Sequence, residues 1–203
     1  MIITLHPDNP NLRDLKKVEE VLNKDGVIIL PTDTIYAMAC LLNSKKAIER
    51  MSKIAGKRME KVNYSLLCSD LSHIADYTSH LDKNVFRLLK ANLPGAFTFI
   101  LPANNQIGKH FGGNKKTIGI RVPDNAIAQT LIKVMGSPLV VSTIHHEDEI
   151  IEYMTDPEEI HEKFEHQVDL VIDGGAGGNI PSTIIDCTTE DPLVIREGKG
   201  LII

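Results

Sequence analysis

Tryptophan is absent from this 203-residue chain, and aromatic residues together make up 4% of it. A surface that stacks several bases on aromatic rings is therefore not expected, and the core has to be aliphatic. Positive charge is not in excess either: 22 Lys and Arg stand against 27 Asp and Glu, a net charge of −5. That argues against coating nucleic acid through bulk charge and leaves a local basic patch open. The three cysteines, Cys40, Cys68 and Cys187, lack paired or metal-type spacing. They read as buried or free thiols in a reducing cytoplasm. The start MIITLHPDNP has no basic region followed by an apolar run, so no signal peptide is visible. No apolar stretch approaches the roughly 18–20 residues of a membrane helix, and no membrane partner is expected. Repeats, low-complexity tracts and Gly/Ser linkers are also missing. Residues 1–203 therefore read as a single domain, a size that one core can fill.

What is present is a globular composition, 42% hydrophobic and 24% charged. Periodicity predicts helices over Leu12–Leu22, Ser44–Ile54 and Ala126–Met135, with further helices starting after the caps Asp70, Asp82 and Asp156. Short apolar runs predict seven to eight strands: Val27–Leu30, Tyr64–Cys68, Phe97–Leu101, Thr117–Val122, Leu139–Ser142, Val168–Ile172, Ser182–Asp186 and Leu193–Arg196. Some are joined by helices and some directly, which is the pattern of a mixed sheet in an α/β domain.

Four segments could carry chemistry. Pro31-Thr32-Asp33-Thr34-Ile35-Tyr36 places three hydroxyls and a carboxylate directly after a buried-type strand, where loops often present polar groups to ligands. Its ordinary alternative is a Thr/Asp-rich turn. Lys53, Lys57, Arg58 and Lys61 cluster at a helix end, as a phosphate clamp or as solvated cations complementing the helix dipole. In Thr117–Val122 the alternation puts Thr117, Gly119 and Arg121 on one face and Ile118, Ile120 and Val122 on the other. Arg121 should then stand on a polar face of the sheet, where its fork suits a carboxylate. In Ser142–Glu149, adjacent His145 and His146 point opposite ways on an extended segment, and no metal site is expected. The glycines from Gly174 to Gly178 lack G-x-G-x-x-G spacing, so no dinucleotide loop is read there.

Taken in order, the blocks GVIILPTDTIYAMA, NYSLLC, LPGAFTFIL, KTIGIRVP, PLVVST, VDLVIDGG, PSTIIDC and PLVIREG resemble the YrdC/YciO-type family, which includes the threonylcarbamoyl-AMP synthases. The wording of HPDNP, FTFIL, KTIGIRVP and REG is closer to the YciO branch. The resemblance implies a twisted mixed, largely antiparallel sheet flanked by helices, with an open concave basic cavity. It also implies a reaction in which L-threonine, bicarbonate and ATP give threonylcarbamoyl-AMP and pyrophosphate. Magnesium is expected with the ATP, and tRNA-modifying proteins downstream are expected as partners. Carried over by motif, Thr32, Arg121 and Thr183 are expected at the threonine. Asn63, Thr117, Ser142, Ser182 and Arg196 are expected at the nucleotide. Lys53, Lys57 and Arg58 are the catalytic candidates, two of them converging near Ser142 and Arg196. The chain departs from the family pattern in four places: KIAGKRMEKVN stands where synthases carry K-x-R-P, Ser142-Thr143-Ile144 where they carry S-A-N, Cys68 where they carry His, and Tyr36-Ala37-Met38-Ala39 where they carry Y-G-L-G. Those departures keep a second reading open, a non-catalytic relative that binds double-stranded RNA or a nucleotide.

Overall fold

Strand alternation sorts the apolar residues into two layers. The computed structural model describes residues 1–59, 62–111, 115–144 and 153–202. In β2 (Ile28–Leu30), Ile29 joins one apolar cluster while Ile28 and Leu30 join the other. In β3 (Ala37–Leu41), Met38 and Cys40 go to the first, Ala37, Ala39 and Leu41 to the second. A strand covered on both faces loses the polar half of the alternation, which is why VIIL is apolar throughout.

Helices cover both layers. The first is closed by α2 (Lys45–Ile54) with Ala47, Ile48 and Met51, α4 (Lys83–Asn92) with Val85 and Leu89, and α7 (Pro157–Phe164) with Ile160 and Phe164. Short α3 (Leu71–Ala75) and α5 (Asn105–His110) add Ile74 and Ile107. The second layer is closed by α1 (Leu12–Asn23) with Leu15, Val18 and Leu22, and by α6 (Ala126–Met135) with Ile127, Leu131 and Ile132. Side-chain caps start these helices where the sequence placed them: Ser44 accepts from Ala47 N, Asp70 from Ser72 N and His73 N, and Asp156 from Glu158 N.

The remaining strands are β1 (Ile2–Thr4), β4 (Ser65–Leu67), β5 (Phe97–Pro102), β6 (Thr117–Arg121), β7 (Leu139–Thr143), β8 (Leu170–Asp173), β9 (Thr183–Asp186) and β10 (Leu193–Arg196). They form one sheet in the order β1-β8-β2-β3-β7-β4-β6-β5-β9-β10. Five neighbouring pairs are antiparallel and four parallel, so the mixed, largely antiparallel sheet is as expected. Ten strands exceed the seven to eight predicted. The additions are β1 and β3. Ala37-Met38-Ala39-Cys40 has little β-branched content, and pairing between β2 and β7 overrides that weak preference.

The sheet register locates the opening in this architecture. Residues paired directly across strands share a face. Ala39 faces Val141, Val141 faces Ser65, Ser65 faces Gly119, and one strand further Thr98 pairs with Ile184. This is the face that α1 and α6 cover near β2, β3 and β8. Over β4, β6, β5 and β9 the same face carries Ser65, Gly119, Thr98 and Arg121, and there a cavity opens.

Candidate functional site

The cavity measures about 490 Å³. Its floor is that uncovered half of the sheet, and it continues past the ends of β3 and β7 toward α2 and α7. Gly119 keeps the floor low: a Cβ there would lie 2.4 Å from Ser65 Oγ and 3.2 Å from Thr98 Cγ2. Four cations, Lys57, Arg121, Lys163 and Arg196, contribute to the lining, and no Asp or Glu among the described residues does. The cavity is therefore basic within a chain of net negative charge, and a concave wall screens such charges less than open water does.

Arg121 is the most constrained of the four. It is 6% exposed. Its Nη2 donates to Asp33 Oδ1 at 2.7 Å and to Thr34 Oγ1 at 2.8 Å. Burial pulls its pKa below the usual guanidinium value, Asp33 pushes it back up, and Arg196 nearby lowers it further. Its Nε and the Asp33 Oδ2 are both buried without a hydrogen-bond partner.

The loop before β3 presents this pair. Thr32 Oγ1 donates to Ile35 O at 2.7 Å and accepts from Thr34 N at 3.1 Å. Thr34 Oγ1 lies 3.0 Å from Thr32 Oγ1 and already accepts from Arg121, so its own proton goes to Thr32. One donor and two acceptors are all that a hydroxyl has. Thr32 is thus saturated within the turn and lies outside the cavity lining, while Asp33 and Thr34 meet Arg121.

Opposite, Ser182 Oγ and Thr98 Oγ1 are 2.7 Å apart. Arg196 donates to Ser182 O through Nε at 3.2 Å and Nη2 at 2.9 Å, which holds the guanidinium against β9. Asn63 and Ser142 also line the cavity. So six of the predicted residues are brought together: Lys57, Asn63, Arg121, Ser142, Ser182 and Arg196. Thr117 is not among them. It is exposed at the far end of β6, paired with Pro102, four residues from Arg121. Thr183 is buried beneath β9 with its hydroxyl bonded to Gly198 N and Gly200 O.

The basic segment contributes one residue to the lining. Lys57 alone of Lys53, Lys57 and Arg58 lines the cavity. Lys53 lies on the solvent face of α2, and after Gly56, at φ +63°, the chain turns so that Lys57 reaches the rim while Arg58 stays outside. Lys61, His145 and His146 lie outside the described residues. Sequence reasoning missed Lys163, from α7, and Gln167, from the turn after it. Arg50 explains their arrival: its Nη1 bonds Asp169 Oδ2 at 2.6 Å and its Nη2 bonds Gln167 O at 2.7 Å, tying α2 to the turn after α7. No pattern in the sequence signals that join.

The described residues contain no group of three His, Cys, Asp or Glu side chains able to hold a metal ion. None of their helices is long and apolar enough to cross a membrane.

A family model comprising Sua5, YciO and YrdC, described as telomere recombination, matches residues 20–198. The chain belongs to this family. It is 43% identical over 198 residues to the YciO protein of Escherichia coli, covering 97% of this chain and 94% of that one. The E. coli YciO crystal structure superposes with a TM-score of 0.89 at 40% identity over 98% of this chain and 96% of the other. Identity to a threonylcarbamoyl-AMP synthase of Bos taurus is 28%, over 89% of this chain and 66% of the relative. The crystal structure of P. abyssi Sua5 complexed with L-threonine matches with a TM-score of 0.87 at 20% identity, over 98% of this chain and 57% of that one. Among these, YciO is nearer than the synthases. Ile144 is 3% exposed and lines the cavity together with Val62 and Phe164. The site thus has a basic floor and an apolar wall.

Proposed function

We propose that this chain is a threonylcarbamoyl-AMP synthase-like enzyme, a nucleotidyltransferase that joins L-threonine, bicarbonate and ATP and releases pyrophosphate. The observation that carries this reading is the half-made Arg121–Asp33 pair beneath a basic cavity, with Arg121 in the lining. A buried polar group without a partner typically costs about 1–3 kcal/mol, so two together at a cavity mark binding capacity held for a ligand. An amino acid offers a carboxylate for Arg121, the member of the pair that lines the cavity. The threonine named with the Sua5 structure and the synthases among the relatives support the choice.

In this reading the amine attacks carbon dioxide or bicarbonate to give a carbamate. A carbamate oxygen then attacks the α-phosphorus, and pyrophosphate leaves. The protein contributes position and charge rather than a nucleophile. Asn63, Ser142, Ser182 and Arg196 hold the nucleotide, Ile144, Val62 and Phe164 flank its apolar parts, and Lys57 and Lys163 neutralise the polyphosphate. Among the described residues no group of side chains builds a metal site, and in this reading magnesium accompanying ATP would be held by phosphates and water. The product then serves proteins that modify tRNA.

The test is incubation with threonine, bicarbonate and ATP, followed by assay for pyrophosphate and the adenylate. Threonine-dependent pyrophosphate release is expected; ATP bound without any release would overturn the catalytic reading. A second reading is then favoured, a nucleotide- or double-stranded RNA-binding relative. Ile144 favours it, because it can neither donate nor accept a hydrogen bond. Lys53 and Arg58 favour it as well, exposed near the rim and without an ion pair among the described residues. Salt-dependent duplex RNA binding lost in Lys53→Ala/Arg58→Ala would mark that outcome.

A further inference from the structure

Just after Arg196 the chain folds back along the start of β9. Lys199 N donates to Pro181 O at 2.8 Å. Gly198 N donates to Thr183 Oγ1 at 3.0 Å, and Thr183 Oγ1 donates to Gly200 O at 2.7 Å. Thr183 is 3% exposed, so its hydroxyl is an internal anchor for this strap. The glycines permit the close approach. A Cβ on Gly198 would lie 2.3 Å from Pro181 O, and one on Gly200 would lie 2.7 Å from Ala96 O and from the Phe97 ring. A side chain at either position would lift the strap off the sheet.

With its backbone pinned, Lys199 reaches across to the loop before β3. Its Nζ donates to Asp33 O at 2.6 Å. Asp33 is thereby held at two points, its carbonyl by Lys199 and its carboxylate by Arg121. The contact joins positions 166 residues apart and links the strap to the one loop that faces the buried guanidinium. The peptide carrying the Asp33 carbonyl is also held through Thr34 N, which donates to Thr32 Oγ1 at 3.1 Å, so Lys199 adds a second hold on that peptide, while Asp33 Oδ2 has no partner.

We infer that Lys199 is a positioning residue: the Thr183-anchored strap carries its ammonium to the Asp33 carbonyl, and this clamp sets the Asp33 carboxylate against Arg121. Lys199 acts through Asp33 and does not touch the reacting atoms. The functional consequence, tighter holding of the amino acid at Arg121, rests on the reading given under Proposed function. The clamp itself does not.

The test compares the parent with Lys199→Ala, Lys199→Arg and Thr183→Val. Hydrogen exchange is followed in the segment 31–36, together with the NMR signal of the Arg121 Nε–H and calorimetric titration with L-threonine. Loss of one hydrogen bond to a charged donor at a partly exposed site corresponds to roughly a 3- to 10-fold effect. Lys199→Ala and Thr183→Val are expected to speed exchange in 31–36 by about that factor while exchange in β2 and β7 is unchanged. The Arg121 signal should move, and Lys199→Arg should restore both. Threonine affinity should fall by a similar factor. Unchanged exchange and an unmoved Arg121 signal in Lys199→Ala would overturn the clamp. If both change but the parent binds no threonine, the clamp stands and the proposed substrate falls. If both change and threonine affinity equals that of the parent, the positioning role is overturned.

Discussion

Arg121 and Asp33 show how much a single residue's surroundings decide. Arg121→Ala leaves the Asp33 carboxylate buried and unpaired, and breaking such a pair typically destabilises by about 3–5 kcal/mol. Arg121→Lys keeps the charge and loses the fork. We therefore expect Arg121→Ala to lower the denaturation midpoint strongly. Arg121→Lys should fold nearly as well as the parent and bind threonine at least 10-fold more weakly, as read by denaturant titration and calorimetry. Equal threonine affinity in Arg121→Lys would remove Arg121 from the site. Tyr36 offers a pH test. Its hydroxyl donates to Gly175 O at 2.7 Å and accepts from Gly174 N at 3.1 Å, and burial first, then Asp173 and Asp156, push its pKa to about 12. A raised folded-state pKa gives stability that is whole below the unfolded value of about 10 and is lost as pH rises through about 12. Tyr36→Phe should cost roughly 1–2 kcal/mol at neutral pH. The gap between parent and variant should narrow above pH 10. A gap constant to pH 12 in unfolding experiments would refute the assignment.

At the scale of elements, β6 was readable because a strand with one apolar and one polar face declares itself by period two. Ile118 and Ile120 are 1% and 0% exposed, and Arg121 stands on the cavity face as expected. Thr117 shares that parity and still misses the cavity, because parity fixes a face and not a position along the strand. Gly119 is the element's hinge on function. Gly119→Ala puts a methyl group against Ser65 Oγ, which overpacks the floor and typically costs about 1–3 kcal/mol. The double variant Gly119→Ala/Ser65→Ala should recover part of that loss, since the nearest atom is a removable hydroxyl. Thermal unfolding of the three variants checks this, and strictly additive losses would show that the contact does not matter. β3 was unreadable by comparison. Its alanines, methionine and cysteine carry little strand preference, and only its two partners make it a strand.

For the whole molecule, Cys40, Cys68 and Cys187 are all buried and free, one expectation from composition that the packing bears out. Burial raises all three thiol pKa values, with Cys187 pushed to about 11, so thiolate is scarce at neutral pH. Labelling by a disulfide reagent should therefore be slow in the native protein and should reach three thiols on unfolding; fast native labelling of Cys40 or Cys68 would contradict this packing. The two apolar layers, the helix caps, the polar loop after VIIL and the orientation of Arg121 were fixed by residue type and period alone, because these depend on neighbours within a few positions. Family motifs in the sequence placed Asn63, Ser142, Ser182 and Arg196 as candidates for one site. The tertiary structure decided what depends on joins across the chain. It brought Lys163 and Gln167 in beside Arg50 and gave Thr183 to the strap that carries Lys199. Each of those outcomes is set by which backbone segments lie within hydrogen-bond distance, and local sequence carries no record of that distance.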